Sequence, residues 1–150
     1  MKKLFSIALI IFSLALCSCA AMPSYNDVRI QPQEFPEPVQ DKALVYFYRE
    51  SRFMGGGVTY FVEEDGTRIG ALFSGSYFYC FTDPGEHTFS AETEAVSLLT
   101  LNTEAGKEYY VEGTIGIGMM IGIPKLNLST KKRAMTIMPD LELRTLIKRE

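Results

Sequence analysis

Turn-forming groups interrupt this chain at intervals of about 8–12 residues from Lys42 onward, a spacing that suits short strands and little else. Glu64-Asp65-Gly66-Thr67 is a tight hairpin signal, because Asp and Gly tolerate the left-handed backbone of a two-residue turn. Asp83-Pro84-Gly85-Glu86 places Pro and Gly where a type II turn prefers them, and Glu104-Ala105-Gly106-Lys107 turns the chain again. Between the turns lie β-branched and aromatic runs at 42–49, 58–63, 67–72, 75–82, 87–93, 96–102 and 108–115. Alternation sorts their faces: Phe89 and Ala91 against Thr88, Ser90 and Glu92, and Tyr109 and Val111 against Tyr110. The run from Lys42 to Arg49 is apolar on both faces. These features predict a mainly β fold, a small antiparallel β-sandwich of about seven or eight strands. Helix formers follow Ser129, so 131–138 and 141–148 are each expected as a short helix, with Pro139 opening the second or kinking the pair.

Residues 1–18 have a different character. Met1-Lys2-Lys3 is basic, Leu4 to Leu16 is an apolar run broken only by Ser6 and Ser13, and small residues follow around Cys17 and Cys19. A charged start, a short apolar stretch and a small-residue exit form the pattern of a secretory signal peptide. The stretch is too short to cross a bilayer comfortably, which takes ~20 residues. Leu16-Cys17-Ser18-Cys19 resembles the signal of bacterial lipoproteins, in which a small residue precedes the cysteine that receives diacylglycerol. That resemblance implies lipid attachment at Cys19, removal of residues 1–18 and, with Ala20 next, delivery to an outer membrane facing the periplasm. The frame ending at Cys17 has bulky Leu16 before it and fits less well. Cleavage after Ala20 or Ala21, leaving a secreted protein, is the remaining alternative.

Residues 19–41 carry Pro23, Pro32, Pro36 and Pro38 and no sustained period, so an extended linker is expected, up to ~65 Å long if fully stretched. Residues 42–150 would then be the folded domain. Hydrophobic residues at 47% and charged residues at 22% are enough to bury one core. The net charge of −3 becomes −5 once Lys2 and Lys3 are removed with the leader. An acidic domain without a basic stripe argues against nucleic acid.

Several motifs recur together. Lys42-Ala43-Leu44-Val45-Tyr46 with Arg49, Asp65-Gly66 with Gly70, Pro84-Gly85-Glu86-His87, and Gly106-Lys107-Glu108-Tyr109-Tyr110 look like bacterial lipoproteins carrying the domain of unknown function 2846, over about residues 40–130. The segment from Asp65 to His87 is also similar to PEGA-type β-sandwich modules. The resemblance implies a lipoprotein and a sandwich, and it brings no activity.

The residues themselves offer little for catalysis. His87 is the only imidazole, too few for a His-rich metal site, and reads as a brace for the Asp83–Glu86 corner. If Pro84-Gly85 closed a hairpin, Cys80 and His87 would be diagonal neighbours and a Cys-His dyad would be conceivable. The face shared with Phe89 makes Cys80 an inert core residue instead. Lipidation of Cys19 and loss of Cys17 would leave Cys80 without a disulfide partner. Ser74-Gly75-Ser76 is not a nucleophile elbow, Glu63-Glu64-Asp65 reads as a solvated hairpin tip, and Gly55-Gly56-Gly57 lacks the lysine of a phosphate loop. No enzyme, cofactor or metal is expected.

The segment from Gly113 to Pro124 is uncharged, and glycines recur along it. It is either a buried strand or hairpin that lets another backbone approach closely, or an exposed apolar loop built from Gly116, Ile117, Gly118, Met119, Met120 and Ile121. The expected role is a non-catalytic binding or structural module on the cell envelope, with the membrane and an envelope protein as partners. A carrier or sensor of an apolar ligand using residues 113–124 is the alternative, and an enzyme the third.

Overall fold

The computed structural model describes residues 26–30 and 34–147. Cys17 and Cys19 lie outside the described residues, and with them the expected leader and lipid site. Among the described residues the chain forms ten strands in two sheets, one short helix and one 3-10 turn. The strands are β1 (Asn26–Ile30), β2 (Ala43–Arg49), β3 (Tyr60–Glu64), β4 (Thr67–Leu72), β5 (Ser76–Thr82), β6 (Gly85–Glu92), β7 (Val96–Thr103), β8 (Glu108–Gly116), β9 (Ile123–Ser129) and β10 (Glu142–Ile147). Helix α1 (Lys131–Ile137) and the turn at Met138–Asp140 stand between β9 and β10.

One sheet has the order β1-β10-β5-β2-β8-β9, the other β4-β3-β6-β7. The fold is the expected sandwich, with two differences in strand direction. β2 runs parallel to β8, and β10 parallel to β5. The β2–β8 pair arises because the chain crosses twice to the smaller sheet, for β3–β4 and for β6–β7, returning first as β5 on one side of β2 and then as β8 on the other.

The apolar patterns explain a third layer. Val45, Phe47, Phe78 and Val111 point from the larger sheet to Tyr60, Val62, Leu72, Phe89 and Ala91 of the smaller. The opposite face of the larger sheet carries Leu44, Tyr46, Tyr48, Tyr77 and Tyr110, covered by Ala134 and Met138 of the helical segment. β2 is therefore buried along its whole length, as its doubly apolar sequence requires. The tyrosines reach polar partners at the rim of this second core. Tyr46 donates to the Pro36 carbonyl at 2.8 Å, and Tyr48 pairs with the Ser129 hydroxyl at 2.7 Å.

Three expectations need correction. The segment from Leu141 to Lys148 is not a helix, because Glu142–Ile147 lies between β5 and β1 and takes backbone partners from both. Tertiary pairing overrides a weak helical propensity there. Second, the stretch read as linker contains β1, which pairs along its full length with β10. Phe35 then packs edge-on against Tyr46, with ring centroids 6.1 Å apart. Third, β9 was not expected. Its alternation of buried Pro124 and Leu126 with exposed Lys125 and Asn127 suits the sheet edge, where a proline costs no ladder bond.

Candidate functional site

The two ends of the sandwich differ in chemistry. At one end lie the Asp65-Gly66 turn, Asp83-Pro84, Lys42 and the turn before β8. The Asp65-Gly66 hairpin has the positive φ angles a two-residue turn demands, 48° and 81°. Asp65 accepts from the Thr88 amide at 2.9 Å, the main reason its carboxyl lies below the ordinary aspartate value. His87 Nδ1 stands 3.0 Å from Asp65 and 3.1 Å from Glu64, while Nε2 faces the Asp83 carbonyl at 2.9 Å. Glu64 also accepts from the Thr82 hydroxyl. It is turned inward rather than standing on a solvated hairpin tip, as the sequence suggested.

His87 thus braces the corner it was expected to brace, now from both sides. Glu64, Asp65 and His87 place three ligand atoms within 4.8 Å of one another, a group that could hold a metal ion among the described residues. Hydrogen bonds within the group, and to Thr82, Thr88 and the Asp83 carbonyl, already engage them. The Cys-His pairing does not form: β5 and β6 belong to different sheets, so Asp83-Pro84 is a crossover and not a hairpin. Cys80 packs against the inter-sheet core, and burial pushes its thiol up to about 12, far from a reactive thiolate.

The opposite end is apolar, and there the uncharged segment resolves into a hairpin. Residues 113–116 finish β8, residues 123–124 begin β9, and the loop between them projects outward. Ile117, Met119 and Met120 are 91%, 93% and 90% exposed, and Ile121 is more than half exposed. Both sequence readings hold in part: the stem is paired strand and the tip is an exposed apolar loop. The glycines have local causes. A Cβ on Gly118 would lie 2.6 Å from the Gly122 Cα, and Gly122 itself has φ 103°.

One carboxylate fixes this tip. Glu94, in the β6–β7 connection, accepts from the amides of Met119 at 2.6 Å, Met120 at 2.7 Å and Gly122 at 2.8 Å, and from that of Ile121. These bonds, led by the Gly122 amide, hold its carboxyl down to about 2. Thr93 adds a bond to the Gly122 carbonyl at 2.5 Å.

A second loop shares the end. Phe53 and Met54 are exposed just before Gly55-Gly56-Gly57. Arg49, itself buried, holds this loop by donating to the carbonyls of Gly55 and Val58, each at 2.6 Å, with its guanidinium 5.4 Å over the Tyr60 ring. Burial lowers its pKa from the ordinary arginine value. The two loops flank one side chain. A Cβ on Gly55 would come within 3.2 Å of Ile115, and one on Gly122 within 2.6 Å of it. Two apolar loops are therefore held outward side by side, one by an anion gripping amides and the other by a cation gripping carbonyls.

Sequence reasoning found the tip but missed Glu94, Arg49, Phe53 and Met54. Two bulky apolar residues beside three glycines were a legible signal. Glu94 left none, since its partners lie 25–28 residues away.

The family model described as "Protein of unknown function (DUF2846)" matches residues 39–122. An uncharacterised protein of Haemophilus influenzae is 32% identical over 124 residues, covering 81% of this chain and 73% of that one. No solved structure matches.

Proposed function

The chain belongs to the DUF2846 family, and from that premise we propose that it is a lipid-anchored envelope protein that works by contact rather than by catalysis. The expected attachment point is Cys19, and the expected location is an outer membrane facing the periplasm. The working surface is the apolar end formed by Ile117, Met119, Met120 and Ile121 with Phe53 and Met54.

The observation that carries this reading is the near-total exposure of large apolar side chains on two braced loops. Each such side chain taken out of water would contribute ~1.5–3 kcal/mol, so leaving several in water is costly unless something covers them. The carrier reading has less support, because the cavity that Gly113, Thr114 and Ile115 help to line measures about 30 Å³, room for one water and not for a lipid.

Metabolic labelling with a fatty acid in the native host tests the anchor: the label is expected to vanish in Cys19→Ser and to persist in Cys17→Ser. A photo-crosslinker replacing Met119 tests the contact. Adducts in intact cells from position 119 but not from Glu104, at the other end, support it. Equal silence at both positions overturns it.

A further inference from the structure

We propose that the apolar end is a bilayer-insertion tip, so that the domain is held to its membrane at two points, the acyl chains on Cys19 and the side chains of the two braced loops. This deepens the lipid-anchored reading and rests on it.

The hydrogen bonding of the tip favours lipid. An acyl medium offers no acceptor, so a loop that enters it must satisfy its donors within the chain. The amides of Met119, Met120, Ile121 and Gly122 are all taken by Glu94, and the Gly122 carbonyl by Thr93. Four amides at the tip that a docking protein could pair with are therefore already used. The shape agrees. Side chains more than nine-tenths exposed are points and not a groove, and points suit a yielding medium. The segment from Gly113 to Pro124 carries no charge that insertion would have to desolvate.

Cations stand at the base of the tip. Arg52 immediately precedes Phe53 and is exposed, paired with Glu50 at 2.8 Å, and the Lys125 stem lies against the hairpin neck, its Cε 3.4 Å from a Cβ placed on Gly116. Long basic side chains at this level reach lipid phosphates while their stems follow the apolar surface. Glu94 remains at the headgroup level, bonded to amides. Insertion of such a loop reaches the headgroup–acyl boundary, roughly 5–10 Å deep, as amphipathic surface elements do.

The tether decides the posture. β1 begins at Asn26, opposite Ile147, and β10 runs parallel to β5, so the chain comes in at the end away from the tip. Seven residue steps separate Cys19 from Asn26, a reach of ~24 Å, while the nine residues of β8 alone extend ~30 Å. That reach, added to a tip inserted roughly 5–10 Å, about equals the length of β8, so acyl chains and tip meet one bilayer when the domain is tilted tip-downward. A domain standing on its tether would hold the tip in water.

The test uses the full, acylated protein reconstituted in vesicles of phosphatidylethanolamine and phosphatidylglycerol, with an environment-sensitive thiol dye at Met119→Cys, Phe53→Cys or Glu104→Cys. Cys80 is only partly buried, so every labelled protein also carries Cys80→Ala. Quenching by spin labels on the acyl chains is expected at positions 119 and 53 and not at 104, where aqueous iodide quenches instead. Use of two separate loops guards against a variant that fails to fold. Iodide quenching at 119 and 53 on vesicles overturns the proposal. So does iodide access on vesicles with protection on native envelope membranes, which would give the tip to a protein partner. Protection without any lipid would give it to a second copy and overturn it equally. Dye on the Cys80→Ala protein without an introduced cysteine marks a free Cys19, which sinks the acyl anchor there and with it the two-point attachment.

Discussion

Tyr60 and Gly113 offer a test of the packing beneath the apolar end. The Tyr60 ring is 2% exposed, and its hydroxyl has no hydrogen-bond partner. It sits where a Cβ on Gly113 would be, 2.4 Å from that position, with Leu72 Cδ1 at 2.5 Å. A buried hydroxyl without a partner costs about 1–3 kcal/mol relative to one in water. Tyr60→Phe removes it while keeping the ring beneath Arg49. The expected result is stabilisation by about 1 kcal/mol, a rise of about 4 °C in Tm for a domain of this size. Gly113→Ala should cost about 1–3 kcal/mol by overpacking. In the Tyr60→Phe background that cost should fall by about 1 kcal/mol, because the hydroxyl is gone while Leu72 remains. Urea unfolding of the four proteins in the cycle measures each value. If Tyr60→Phe destabilised the protein by about 1 kcal/mol or more, the hydroxyl would have a partner and the reasoning would fail.

Other outcomes follow from the two ends. Met119→Ser with Met120→Ser should leave unfolding free energy within about 0.5 kcal/mol per site, because neither side chain is buried by folding; a larger loss in urea titration would place them in a core. Folding holds Glu94 at about 2, below the ordinary 4.5 of glutamate, so its contribution is complete above that value and fades as pH falls toward 2. Relative to unprotected amides at the same pH, those of residues 119–122 should be strongly protected from exchange at pH 5 and lose that protection near pH 2, and no protection at pH 5 would contradict the clamp. Cys80 should resist iodoacetamide at neutral pH in the folded protein and react after unfolding; rapid labelling of the native protein would show an accessible thiolate.

Local chemistry was enough for much of this fold. The Asp65-Gly66 turn, the seven apolar runs between turns and the first short helix are decided by residues near in sequence, since turn type and face alternation need no distant partner. The apolar character of 113–124 was equally legible. What the sequence could not decide were matters of which strand meets which. Asp83-Pro84 has the chemistry of a hairpin, yet it joins two sheets, and β5 and β6 never pair, so the diagonal placement of Cys80 and His87 that a hairpin would give does not arise. Glu142–Ile147 has a composition that suits either a helix or a strand, and the open edges of β5 and β1 made it a strand. Whether the tip was core or surface turned on Glu94 and Arg49, whose partners are backbone atoms, several of them far along the chain. Backbone amides and carbonyls are the same in every residue, so a clamp built on them leaves no pattern in the sequence and exists only once the loops have met.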